Sequence, residues 1–256
     1  MRRWLPRRLR HGEEATLVEH LDELRARIII ALVAIVPAFL LAFAFHATII
    51  DWLKEPLPDD RRLVTFGVTE PFTTSVKVSI LVALALALPV LLWQTWAFLA
   101  PAVEPHFQRV VLTMVLIASG LFAAGVAFMY YVVLPLALDF LTSYDEQLYD
   151  IQIRASYYYS FVAWTLLAGG LAFLMPIFLL GLVRLRIVSA DRLRRNRRFA
   201  FVGLLVFAIL LPTVDPVSLA FEVVPLVVLY EISIWAAVLM ERRWQREWED
   251  ELAGAL

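Results

Sequence analysis

The chain has 256 residues, of which 61% are hydrophobic and 18% charged, with a mean hydropathy of +0.75. Soluble domains average about 45–50% apolar and about 25% charged residues, so this composition excludes both a water-exposed globule and a disordered chain. It has no cysteine, hence no disulfide, thiolate metal site or thiol nucleophile, and its net charge of −1 argues against nucleic-acid binding.

A helix needs about 20 largely apolar residues to cross about 30 Å of hydrocarbon. Such runs occur at Ile28–Phe45, Val78–Phe98, Val110–Leu134, Phe161–Val183 and Leu219–Met240, with a shorter one at Phe199–Leu211. The last two form a hairpin through Pro212–Ser218. The runs are apolar all round, which disfavours the alternating pattern of an outer-membrane barrel. The expectation is an all-α integral membrane protein of six transmembrane helices. A cytoplasmic segment over 1–27 carries an interfacial helix, the membrane domain covers 28–240, and a tail covers 241–256.

Arginine placement sets the orientation. Of 23 basic residues, only Lys54 and Lys77 are lysines. Eighteen lie in the N-terminal segment, at Arg109, between Arg184 and Arg198, and in the tail. The opposite loops carry Lys54, Arg61, Arg62 and Arg154, with many carboxylates, and Lys77 sits at a span mouth. Positive charge gathers on the cytoplasmic side, so both termini are expected there. The first span reads as retained rather than as a cleaved leader, because its apolar run begins only at Ile28.

Each span carries or adjoins a proline (Pro37, Pro89, Pro135, Pro176, Pro212 and Pro225), tolerated in membranes as a kink. Gly169-Gly170 suits close helix approach. Thr16-Leu17-Val18-Glu19 fits a capping box opening a helix that lies in the interface before turning into the membrane. On that helix Glu23 stands four residues before Arg27, which by itself predicts an ordinary surface ion pair.

His20-Leu21-Asp22-Glu23-Leu24-Arg25-Ala26-Arg27 before a first span resembles the opening of the TatC family, the polytopic subunit of the twin-arginine protein translocase. The resemblance continues through Glu70-Pro71-Phe72 and Lys77, then Leu88-Pro89-Val90 and Gln94-Thr95-Trp96-Ala97-Phe98-Leu99-Ala100-Pro101. It extends over Ser189–Phe199, Asp215, Pro225 and Glu231. It implies a curved, glove-like bundle in the cytoplasmic (inner) membrane. It also implies binding of twin-arginine signal peptides, assembly of the single-span partners TatA and TatB driven by the proton-motive force, and self-association in a receptor complex. No cofactor, metal or enzymatic activity is implied. The signal-binding set carried over is Glu23, Arg25, His106 and Arg109.

Two departures stand out. Where the family has His-Glu-Arg-Arg, this chain has His106-Phe107-Gln108-Arg109, and Glu104 is the candidate to supply the missing carboxylate. Leu174 stands where a glutamate normally precedes Pro176, while Glu222 appears in the sixth span. A carboxylate at membrane depth costs at least about 2.5–3.5 kcal/mol unless it meets a partner or water. Glu222 either snorkels to the nearby surface or replaces the missing contact to a partner helix. Asp215 suits the cap of the sixth helix, and Glu231 calls for a polar neighbour that the sequence does not name. Two alternatives remain: a divergent relative that has lost signal binding, and a six-helix channel or carrier. The latter lacks a filter-like glycine run.

Overall fold

The computed structural model describes residues 17–58, 61–99, 107–144, 148, 151–184, 187–210 and 216–254. The chain resolves into two compact units. The first comprises Met1–Glu55, Asp59–Gly120 and Gln152–Ala163, and the second Pro56–Pro58, Leu121–Ile151 and Trp164–Leu256. Five helical stretches are long and apolar enough to span a membrane: Leu21–Ala44, Glu70–Phe98, Leu112–Ser143, Ala155–Arg184 and Pro216–Glu241. The expected fifth span is helix α9, Arg197–Ile209, whose 13 residues reach only about 20 Å.

In the first unit, α1 (Leu17–Ala44) runs unbroken through Pro37. The segment before Ile28 therefore continues the axis of the first span instead of turning into it. Nothing in Leu21–Ile28 breaks the helix, and Leu21, Leu24 and Ile28 extend the apolar surface by a further two turns. Only 6% of the most apolar stretch of α1 is buried by protein, so its Leu32, Val36 and Leu40 face lipid. After α2 (His46–Lys54) comes the two-residue strand β1 (Leu63–Val64). Helix α3 (Glu70–Leu99) contains Pro89 and buries Val78, Ala83 and Ala87. Helices α1 and α3 run antiparallel, with Phe43 edge-on to Phe72 at 6.5 Å near one end. Helix α4 (Phe107–Phe128) begins in this unit, where Val115 packs on Leu92 and Trp96. Strand β2 (Ile153–Arg154) pairs parallel with β1, Leu63 against Ile153 and Val64 against Arg154. That short sheet was not foreseen.

In the second unit, α4 widens into a π-helical turn, Met129–Val133, before α5 (Leu134–Ser143). The cause is Pro135, which has no N–H for the carbonyl of Tyr131; the wider turn lets the Leu134 N–H reach Met129 O instead. Proline acts more drastically in the fourth span, which is two helices, α6 (Ala155–Ala172) and α7 (Met175–Arg184). Pro176 cannot donate to the Ala172 carbonyl, and the chain turns over Phe173-Leu174 with Leu174 N–H bonded to Leu171 O. Helix α8 (Ala190–Arg195) is capped by Ser189, whose hydroxyl accepts the Arg192 N–H at 3.3 Å. Helix α10 (Pro216–Gly254) runs through Pro225 and extends past the expected Met240. The paired glycines do let helices close up: a β-carbon on Gly170 would stand 2.6 Å from the Phe122 ring, and one on Gly169 would collide with Met129. Hydroxyls within spans, such as Ser79, Thr142 and Ser233, donate to the carbonyl four residues back, which keeps these donors paired in hydrocarbon.

Candidate ligand-binding site

Three groups of polar side chains sit on this apolar scaffold. The first lies between α1 and α3. One helical turn separates Glu23 from Arg27, so their side chains meet on one face. Arg27 Nε donates to Glu23 Oε1 at 3.0 Å, and Nη2 donates to the same oxygen. The expected surface pair is thus present, but it is not a surface pair: the side chains are only 19% and 13% exposed. Arg27 Nη1 also lies 3.5 Å from Gln94 Oε1 on α3, which ties the cluster to a second helix. Glu23 Oε2 is buried and accepts no hydrogen bond among the described residues. A carboxylate matches the fork of a guanidinium through both oxygens at once, and here Arg27 uses only one of them. Arg25 is exposed. Of the residues expected here, Glu23 and Gln94 come together; the part of Arg27 beyond its pair with Glu23 was missed, since only the fold brings Gln94 across 67 residues.

At the far end of the same unit, Glu70 opens α3 and is 5% exposed. Its Oε1 accepts from Arg154 Nε at 2.9 Å and from the Ser156 N–H at 3.2 Å, and its Oε2 accepts the Phe66 N–H at 3.0 Å. The Arg154 guanidinium lies over the rings of Phe66 (5.8 Å) and Tyr157 (5.1 Å), and its hydrogen bond to Glu70 pushes its pKa up from an already high value. Glu70 is therefore a structural knot that holds the β1 and β2 loops together. Pro71, Phe72 and Lys77, from the same motif, are exposed. Arg154 was counted in the sequence only as a loop charge, and no local signal marked it as the partner of Glu70.

The second unit holds Glu222, Glu231 and Glu241. Glu231 meets Arg197 at 2.9 Å, the polar neighbour it called for. Beside it the Tyr230 hydroxyl donates to Leu193 O at 2.9 Å, and Glu241 Oε2 accepts the Ala190 N–H at 3.1 Å, so α8 is fastened to α10. Glu222 is 3% exposed, which rules out snorkelling. It lines a small cavity with Phe128, Met129, Gly169, Ala172, Phe173 and Leu226, beside the α6–α7 break where Leu174 stands. Phe98 is half-buried in the last turn of α3.

Pro101, Glu104, His106 and Asp215 lie outside the described residues, as does Thr16 of the capping box; Arg109 belongs to α4, and its side chain is likewise not described. Among the described residues no three histidine, aspartate or glutamate side chains gather as a metal site requires.

The family model of the Sec-independent protein translocase protein TatC matches residues 19–225. The chain is 34% identical to the Sec-independent protein translocase protein TatC of Carboxydothermus hydrogenoformans, over 87% of its own length and 92% of that protein. To the protein of the same name from Escherichia coli K12 it is also 34% identical, with 86% of each chain covered. Its backbone is similar to a crystal structure described as the twin-arginine translocase receptor TatC, with a TM-score of 0.77 and 34% identity. That match covers 85% of this chain and 99% of the other.

Proposed function

This chain belongs to the TatC family, the multi-pass membrane subunit of the Sec-independent, twin-arginine protein translocase, and on that premise we propose that it is the signal-peptide receptor of its complex. It sits in the cytoplasmic membrane with both termini in the cytoplasm, where its arginines concentrate. The carrying observation is Glu23: a shielded carboxylate with an oxygen to spare, near the start of the first span. An arriving Arg-Arg pair would find there a planar, charge-assisted acceptor in a partly dry setting, and a Lys-Lys pair, lacking the fork, would bind more weakly. By family resemblance Arg25, His106 and Arg109 join Glu23 in signal-peptide binding, and Glu104 supplies the second carboxylate that Phe107 cannot.

The second unit is the partner-facing part. Glu222, near the α6–α7 break, takes over toward an incoming single-span TatA- or TatB-type helix the polar contact that the fourth span lacks. Copies of the chain associate within the receptor complex, and the proton-motive force drives export of the folded cargo.

The test is binding of a labelled signal peptide to the purified chain, with a Lys-Lys peptide as control. We expect a clear preference for Arg-Arg, and a loss of about 10- to 100-fold in Glu23→Gln, the scale of a hydrogen bond to a charged group. Equal, weak binding of both peptides would instead identify a divergent relative without receptor function.

A further inference from the structure

We propose that Arg27 is an internal occupant of the receptor carboxylate, holding it closed until a signal-peptide arginine displaces it. The proposal rests on the receptor reading above and deepens it. Arg27 is itself a guanidinium, the chemistry expected of the ligand, and two of its N–H groups converge on one oxygen of Glu23. The other oxygen is buried without a hydrogen bond among the described residues, so a ligand cannot reach it while this arrangement lasts. The closed state is therefore under-satisfied: two donors share one acceptor oxygen while the other is idle. An incoming guanidinium laid fork to fork on the carboxylate uses both oxygens, which Arg27 does not. Gln94 Oε1, 3.5 Å from Arg27 Nη1, is an acceptor to which the displaced side chain can turn.

An internal occupant reduces the affinity of every ligand by the same factor, the inverse of the fraction of open sites. It leaves the preference for Arg-Arg intact, since that resides in the fork geometry. Its effect is on the floor: Lys-Lys and stray basic segments, weaker to begin with, fall below useful occupancy, while the true signal does not. Arg27 thus sets the affinity threshold of the site without needing to touch the cargo.

The experiment measures dissociation constants and association rates of Arg-Arg and Lys-Lys peptides with the full-length purified chain and its Arg27→Gln, Arg27→Lys, Glu23→Gln and Arg27→Gln/Glu23→Gln variants. Arg27→Gln is expected to tighten both peptides equally, by about tenfold if the open state is populated at about 10%, with faster association. Arg27→Lys, a poorer occupant, gives a smaller gain, and decides the matter should Arg27→Gln fail to fold. The gain disappears when Glu23→Gln is added. Unchanged or weaker Arg-Arg binding in the Arg27 variants overturns the proposal and makes Arg27 a helper of the ligand. If Glu23→Gln alone has no effect, it is the receptor reading that fails, whatever Arg27 does.

Discussion

Gly125 on α4 and Gly170 on α6 face each other so closely that a β-carbon on the first would stand 3.0 Å from the Cα of the second. The same β-carbon would meet the Phe173 side chain at 2.7 Å. Backbone cannot step aside as a flexible side chain can. We expect Gly125→Ala to destabilise the chain by about 1–3 kcal/mol, the usual cost of overpacking. Gly120→Ala, one turn and a half earlier with nothing within 4 Å, should be neutral or slightly stabilising. Thermal unfolding in detergent separates the two.

The absence of cysteine makes cross-linking clean. Leu63 and Ile153 are direct partners in the parallel pair, and neighbouring strands lie about 4.7–4.9 Å apart, within disulfide reach. Leu63→Cys with Ile153→Cys should therefore close readily under mild oxidation. Adding Glu70→Gln, which leaves Arg154 without its carboxylate, should lower the yield. Equal yield would show that the strands hold without the knot.

Glu222 and Leu174 lend themselves to a swap. Glu222→Leu is expected to weaken co-purification of a single-span partner about tenfold, corresponding to about 1–2 kcal/mol for one polar contact between helices in lipid. Restoring a carboxylate at the neighbouring α6–α7 break, by Leu174→Glu in the same chain, should recover most of it. Failure to recover would mean that Glu222 matters only for packing its own unit.

The α8–α10 fastening separates polar from ionic contributions. Tyr230→Phe removes the hydroxyl that caps Leu193 O and should cost about 0.5–1.5 kcal/mol. Glu231→Gln breaks the pair with Arg197, whose side chains are 37% and 30% exposed, and should cost about 1 kcal/mol or less. Raising the salt concentration should shrink the second effect and leave the first.

The spans were legible because hydrocarbon imposes a length on each apolar run, and even the shortness of α9 could be counted off. The prolines announced distortion but not its kind: Pro37 and Pro89 pass inside continuous helices, Pro135 follows a π-helical turn, and Pro176 ends one helix and starts another. Which outcome follows depends on what packs around the freed carbonyl, and that is tertiary information. Glu23 was legible as a site residue through family resemblance. Its engagement by Arg27 was readable from the spacing of four, but its burial was not. The partners of Glu70 and Glu231 stayed hidden because Arg154 and Arg197 are far along the chain, one among many loop charges in each case.

The Glu70–Arg154 bond joins residues 84 positions apart. At a synthesis rate of about 5–20 residues per second, the carboxylate is in place about 4–17 s before its guanidinium is made. During that interval the β1 loop has no strand to pair with and a glutamate with no cation. Completion of this end of the first unit is therefore a late event in biogenesis, gated by synthesis of the β2 loop. A chain stalled before Arg154 would present an open, strand-competent edge to its surroundings.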